Sequence, residues 1–337
     1  MESYDILVIG GGAGGLVTAA GSSNMGAHVA LIERNFLGGD CLNTGCVPSK
    51  AFLKCANTVH AARHAEEFGI IVEGNISVNF PVIMERMRKI RAHIAENDSA
   101  KRFADKLGCD LYFGQAVFTG SNTVSVNGKE LKFNKAVIAT GGRPFVPPIE
   151  GLVEDRRVPF YTSDNIFNLR TQPKSMAILG AGPIAAELGQ AFQRLGTNVT
   201  FVARGQLLGR EDSDASALLH DQMVKDGCRF LFDHQIKKVT LARPASHVDE
   251  HPLLNLTLQT PNGASDELEV EVLLLATGRQ PNVDALALEA ANVTFHARDG
   301  IYANKYLQTS NPNIYAVGDC LAMGVLGAKP LTPGPGY

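Results

Sequence analysis

Short apolar runs rich in β-branched residues alternate along this chain with glycine-rich turns and with stretches of helical apolar periodicity. The run YDILVIG predicts a buried parallel strand, GGGAGGLVTAAGSSNMG a turn and helix, and HVALIER a second strand, together one βαβ unit. The pattern recurs deep in the chain: KSMAILG reads as a strand, AGPIAAELGQAFQRLG as a turn and helix, and TNVTFVAR as a strand. Between the two units, PVIMERMRKIRAHIAENDSAKRFADKLG has helical periodicity with alternating charge and predicts a surface helix or helix pair. Strand-like segments then lead to KAVIATGGRPFVPPIEG, whose Pro-rich stretch after Arg143 reads as a connection between domains. A similar ending, VEVLLLATGRQPN, closes the second unit, and NPNIYAVGDC precedes a Gly/Pro-rich tail.

This organisation predicts an α/β protein of two Rossmann-like, three-layer domains, the second inserted in the first. The expected boundaries are residues 1–149 for the first part of one domain and 150–276 for the inserted domain. Residues 277–320 return to the first domain, and 321–337 form a C-terminal stub. The length of 337 residues accommodates two or three domains. A net charge of −3 gives no reason to expect nucleic acid or an anionic membrane as partner. No apolar run is long enough to span a bilayer. The N-terminal segment lacks the basic start of a secretion signal, so the expected location is the cytoplasm.

The glycine turns carry chemistry. Gly10, Gly12 and Gly15 form G-x-G-x-x-G between strand and helix, a spacing that lets backbone approach a pyrophosphate at a helix N-terminus. Glu33 ends the second strand, where an acid accepts hydrogen bonds from a ribose. Gly180, Gly182 and Ala185 give the G-x-G-x-x-A variant in the second unit. There the ribose acid is missing: Ala203 stands in its place, followed by Arg204 and Arg210. Two guanidiniums without an acid suit a 2′-phosphate, which favours NADPH over NADH. Against this, Glu211 and Asp212 are positioned to screen Arg210.

Of six cysteines, Cys55, Cys109, Cys228 and Cys320 are scattered among apolar neighbours and read as small buried hydrophobes. Cys41 and Cys46, in GGDCLNTGCVPSK, are different. On one ideal helix, residues five apart have Cα atoms roughly 8.6 Å apart, beyond the roughly 7 Å a disulfide tolerates. A bond between them therefore requires a distorted helix, with Gly45 and Pro48 as candidate distorters. Strained, accessible disulfides tend to be catalytic. A zinc site is the chemical rival, but no Cys/His pair stands nearby to complete it, and no metal is expected.

The run GGDCLNTGCVPSK, the preceding GGGAGG, the two ATG motifs and YAVGD resemble class I pyridine nucleotide-disulfide oxidoreductases. The likeness is greatest to the mercuric reductase-like branch, with dihydrolipoamide dehydrogenases and glutathione reductases as relatives. The resemblance implies FAD in the first domain. It implies that Cys46 contacts the flavin as a thiolate, that Cys41 is the interchange thiol, and that Lys50 lies near the flavin N5. It further implies that Asp319 bonds the ribityl chain, that Thr140 and Gly141 approach the FAD, and that Glu187 and Gly278 lie at the nicotinamide nucleotide. Electrons would pass from NADPH through FAD to the Cys41–Cys46 disulfide and on to a small-molecule or small-protein acceptor: a disulfide, a metal ion or another group.

Family members form homodimers through a further C-terminal domain, which also supplies a catalytic histidine. The chain ends before that domain, and His220, His234 and His296 read as surface histidines. Nor does it contain the C-terminal cysteine pair of a mercuric reductase. The alternatives are a dihydrolipoamide dehydrogenase using NAD, and a truncated flavin-binding protein without turnover.

Overall fold

The computed structural model describes residues 1–247 and 249–322; the expected stub therefore lies outside the described residues from position 323 onward. In chain order the elements are β1 (Glu2–Ile9), α1 (Ala13–Asn24), β2 (Val29–Glu33), α2 (Gly39–Asn43), α3 (Cys46–Arg63) and α4 (Phe80–Ala95). Then come β3 (Asp110–Phe113), β4 (Ala116–Gly120), β5 (Thr123–Val126), β6 (Lys129–Ile138) and β7 (Gly142–Pro144). The second glycine unit is β8 (Ser175–Leu179), α5 (Pro183–Leu195), β9 (Asn198–Ala203), α6 (Ser213–Lys225) and β10 (Arg229–Phe232). It continues through β11 (Gln235–Arg243), β12 (Leu253–Gln259), β13 (Ser265–Val270) and β14 (Val272–Leu275). Last are β15 (Arg279–Pro281), β16 (Phe295–His296), β17 (Gly300–Ile301) and β18 (Ile314–Ala316).

The chain forms two compact units. One comprises residues 1–43, 92–143 and 279 onward; the other comprises 44–91 and 144–278. The first is built on a sheet of order β3-β2-β1-β6-β5-β4, with β18 also paired to β6. Strands β3, β2, β1, β6 and β18 run parallel. Their inner residues, among them Leu7, Ile32, Ala136 and Ile314, are fully or almost fully buried, as strands covered on both faces require.

The second unit has a parallel sheet of order β10-β9-β8-β14 and a separate antiparallel sheet β11-β12-β13. Helix α5 begins with Pro183 and is followed by Gly196 at φ +108°, the start and stop chemistry its sequence advertises. The segment expected as a surface helix is amphipathic: Phe80, Met84 and Met87 recur at helical spacing and are buried in the second unit's core. Among the described residues no helix is long and apolar enough to cross a membrane.

Candidate nucleotide and thiol sites

The two glycine turns are built alike. Gly10 follows β1 with φ +109°, and a Cβ there would lie 2.3 Å from the Ala139 carbonyl oxygen. Gly180 follows β8 with φ +120°, and its Cβ would lie 2.4 Å from the Ala276 oxygen. Each turn is thus closed against the alanine that opens an ATG motif, and only glycine meets both the conformation and the clearance. The matching hydrogen bonds are Ala139 N–H to the Ile9 oxygen, 2.7 Å, and Ala276 N–H to the Leu179 oxygen, 2.9 Å.

Both helices after these turns start open. Gly12 caps α1 and Gly182 caps α5, neither helix has a side-chain cap, and neither has an acid in its first turn. Helix α6 is the contrast: the Asp212 carboxylate accepts from the N–H groups of Asp214 and Ala215, both at 3.0 Å. An uncapped N-terminus keeps donors and the positive dipole end available to an anion, so both turns fit a dinucleotide pyrophosphate. Gly15 and Ala185, the third positions of the two motifs, are buried inside their helices.

In the first unit, Glu33 ends β2 and accepts hydrogen bonds from the Gly11 N–H at 2.6 Å and the Asn35 N–H at 2.7 Å. This fixes the carboxylate beside the glycine turn and leaves oxygen lone pairs for a ribose hydroxyl. Thr140 donates to the Asn282 carbonyl at 2.7 Å and its own carbonyl accepts from the Asn282 amide at 2.9 Å, while Gly141 takes φ +65°. Asp319 pairs with Arg279 Nε at 3.3 Å. Arg279 also bonds Asp40, the neighbour of Cys41, and the Gly142 carbonyl at 2.7 Å. Arg279 and Asn282 were not expected from the sequence; both lie in the GRQPN run after the second ATG, where the repeat itself was the available signal.

The second unit holds Lys50 and Glu187. The Lys50 ammonium reaches both carboxylate oxygens, at 2.7 and 2.8 Å. The pair joins α3 to α5, two helices far apart in sequence, and it is open to solvent. Ala203 is buried at the end of β9, and Arg204 and Arg210 are exposed on the loop that follows. That loop folds back on the glycine turn through Leu208 N–H to the Ala181 oxygen, 2.8 Å. Asp212 is engaged as the α6 cap, which leaves Glu211 as the remaining acid near Arg210. Gly278 takes φ +114° with open space where a side chain would stand.

The cysteines divide by exposure. Cys41, in α2 of the first unit, and Cys46, the first residue of α3 in the second, are exposed. The chain interrupts its helix between them: α2 ends at Asn43 and α3 is capped by Gly45, so the spacing of a single distorted helix does not apply. Pro48 is no distorter. It sits in the first turn of α3, where its missing N–H costs no intrahelical bond. Cys109, Cys228 and Cys320 are buried, and burial raises all three thiols, Cys228 to about 12. Cys55 is only half-buried, unlike the buried hydrophobe its neighbours implied. Of the histidines, His296 is exposed, whereas His220 and His234 are half-buried, and His220 packs against Phe230 and Phe232. Among the described residues no group of three potential metal-ligating side chains assembles.

The family model for pyridine nucleotide-disulphide oxidoreductases matches residues 4–332. The chain is 33% identical over 319 residues to a mercuric reductase of Lysinibacillus sphaericus, covering 94% of this chain and 56% of that protein. It is 31% identical over 323 residues to a dihydrolipoyl dehydrogenase of Acholeplasma laidlawii, covering 94% and 90%. Among solved structures it is similar to the Cu(II) complex of the HOCl-induced flavoprotein disulfide reductase RclA from Escherichia coli. That match has a TM-score of 0.78 and 26% identity, over 95% of this chain and 66% of that one. The chain thus spans about half the length of the mercuric reductases it matches.

Proposed function

Because the chain belongs to the pyridine nucleotide-disulphide oxidoreductase family, we propose that it carries electrons from NADPH through FAD to a Cys41–Cys46 disulfide and on to a small acceptor. The observation that carries this reading is the pair of uncapped glycine turns, one per unit, with Lys50 and Glu187 joined on the helices that begin at Cys46 and at the second turn. In balance, NADPH, a proton and the disulfide give NADP⁺ and two thiols. The dithiol then reduces a substrate disulfide by exchange, or transfers its electrons to a bound metal ion, and is itself reoxidised.

Bound FAD supplies the two-electron step between the nicotinamide and the sulfur pair. Gly10, Gly12 and Gly15 admit its pyrophosphate, Glu33 takes its ribose, and Asp319 with Thr140 and Gly141 orients the rest. Lys50 would hold a fixed positive charge toward a bound flavin, and Glu187 orients that lysine. Cys46 stands at a helix N-terminus, where negative charge on sulfur is favoured. Cys41 exchanges with the acceptor.

The exposed Arg204 and Arg210 favour a 2′-phosphate. Arg204→Ala and Arg210→Ala should each lower kcat/KM for NADPH about 10- to 100-fold, since a charge-assisted hydrogen bond is worth about 1.5–3 kcal/mol. The value for NADH should change by less than about threefold. Steady-state rates with both nucleotides check this, and equal losses for the two would refute the assignment.

The dihydrolipoamide dehydrogenase reading is favoured by the relative that this chain covers almost end to end. It predicts reduction of NAD by dihydrolipoamide faster than any NADPH-driven rate. A protein that binds flavin and shows neither reaction is the third outcome.

A further inference from the structure

Helices α3 and α5 are joined at two levels. Lys50 meets Glu187 at one. Seven residues along each helix, Asn57 Oδ1 accepts from Arg194 Nη1 at 2.7 Å. Seven residues are two helical turns, about 10.5 Å, so the helices run parallel and in step. Phe52 and Phe192 pack between the levels with ring centroids 4.8 Å apart, and Arg63 donates to the Arg194 carbonyl at 2.7 Å.

The two levels differ in burial. The Lys50 and Glu187 side chains are 62% and 40% exposed. A solvated pair of two flexible chains does little to hold helices together. At the other level, Arg194 is 13% exposed and pairs with Asp226, 3% exposed, through Nε at 2.8 Å. Asp226 follows α6 and ties it to α5: it accepts from Gln190 of α5 at 2.8 Å and from Gln222 of α6 at 2.9 Å. His60 of α3 lies 3.7 Å away, beyond hydrogen-bond distance, with burial and Arg194 favouring its neutral form. Burial alone would raise this carboxyl, but the bonds from Gln222, Arg194 and Gln190 outweigh it and hold the group below its ordinary value. The carboxylate is therefore ionised and its partners are held in place.

We propose that Arg194 and Asp226 are positioning residues: their buried pair sets the axial register of α5 on α3, and through two turns of each helix it fixes Lys50 against Glu187. The inference rests on the proposed role of that lysine, but its geometry does not. A register shift of one residue, about 1.5 Å, would break the bidentate contact at the exposed level while leaving both helices folded. Neither Arg194 nor Asp226 touches the reacting groups in this scheme; they act through the helices.

The test uses the full chain with FAD. Asp226→Asn keeps the shape and removes the charge. Asn57→Ala, a milder change at an exposed site, covers the case in which the first variant does not fold. Leu256→Ala, in β12 of the same unit, serves as a control for general destabilisation. Asp226→Asn is expected to slow flavin reduction by NADPH about tenfold with KM nearly unchanged, and Asn57→Ala about threefold. Leu256→Ala, assayed where its folded fraction matches, should leave the rate alone. In a Lys50→Ala background, Asp226→Asn should add no further loss. Crystal structures of wild type and Asp226→Asn give a readout independent of turnover: Lys50 Nζ should sit beyond about 4 Å from Glu187 in the variant alone. If wild type shows no flavin reduction, the redox reading fails, and the crystal distance decides the positioning claim. An unchanged distance, or additive losses with Lys50→Ala, would overturn it.

Discussion

Cys46→Ser should abolish NADPH-dependent reduction of any disulfide or metal acceptor, by about 10⁴-fold or more, while flavin reduction by NADPH persists. The reasoning follows the electrons. In the proposed relay, hydride acceptance rests on the two glycine turns and the Lys50–Glu187 pair, all of which this variant keeps. The onward transfer needs a sulfur at the start of α3, which it lacks. Cys41 alone cannot form the disulfide, and none of the other thiols takes the place of Cys46, because Cys109, Cys228 and Cys320 are buried with their thiols raised by burial, and Cys55 lies nine residues further along the helix. Cys41→Ser should block turnover as severely but retain the long-wavelength absorbance of a thiolate beside flavin, because Cys46 remains. Anaerobic titration with NADPH, followed by stopped-flow mixing with a disulfide acceptor, reads both variants. Turnover surviving in Cys46→Ser, or the long-wavelength band surviving there and vanishing in Cys41→Ser, would reverse the assignment of the two sulfurs or dismiss it.

What could be read from the sequence was local. The runs YDILVIG and KSMAILG became β1 and β8 because a short apolar segment ending in glycine has few other uses. Helix α5 lies within AGPIAAELGQAFQRLG, the run read as a turn and helix, with Pro183 at its start and Gly196 at its stop. The two ATG motifs announced a duplication, and the structure gives them one job, closing each glycine turn. What lacked a sequence signal was long-range or geometric. Asp226 and Arg194 stand 32 positions apart, and Arg279 and Asp40 stand 239 apart, so no periodicity links them. The cysteine segment was expected as one bent helix. It forms two, because Gly45 supplies a backbone at φ −121° and ψ −110° that an α-helix does not use. Propensity marks where a helix is weak; it does not say whether the chain bends or breaks there.

Two glycines of α1 should respond with opposite signs to the same substitution. At Gly15 a Cβ would lie 1.8 Å from the Gly10 carbonyl oxygen and 3.0 Å from its carbon. The obstacle is backbone, in the turn that the Ile32 carbonyl holds through the Gly10 N–H at 2.8 Å. It cannot swing aside as a side chain would, so α1 must lift from the end of β1. Gly15→Ala should therefore cost about 3 kcal/mol of stability, the scale of overpacking at a fixed site, and lower FAD affinity with it. Gly21, near the other end of α1, has nothing within 4 Å of where its Cβ would stand. There alanine only restricts the unfolded chain and improves helix propensity, so Gly21→Ala should stabilise by about 0.5–1 kcal/mol. Urea denaturation of the two variants, with flavin release followed in parallel, measures both. A Gly15→Ala protein as stable as wild type would mean that the helix does not sit on the glycine turn as described, and with it would go the close approach on which the proposed pyrophosphate binding at that turn depends.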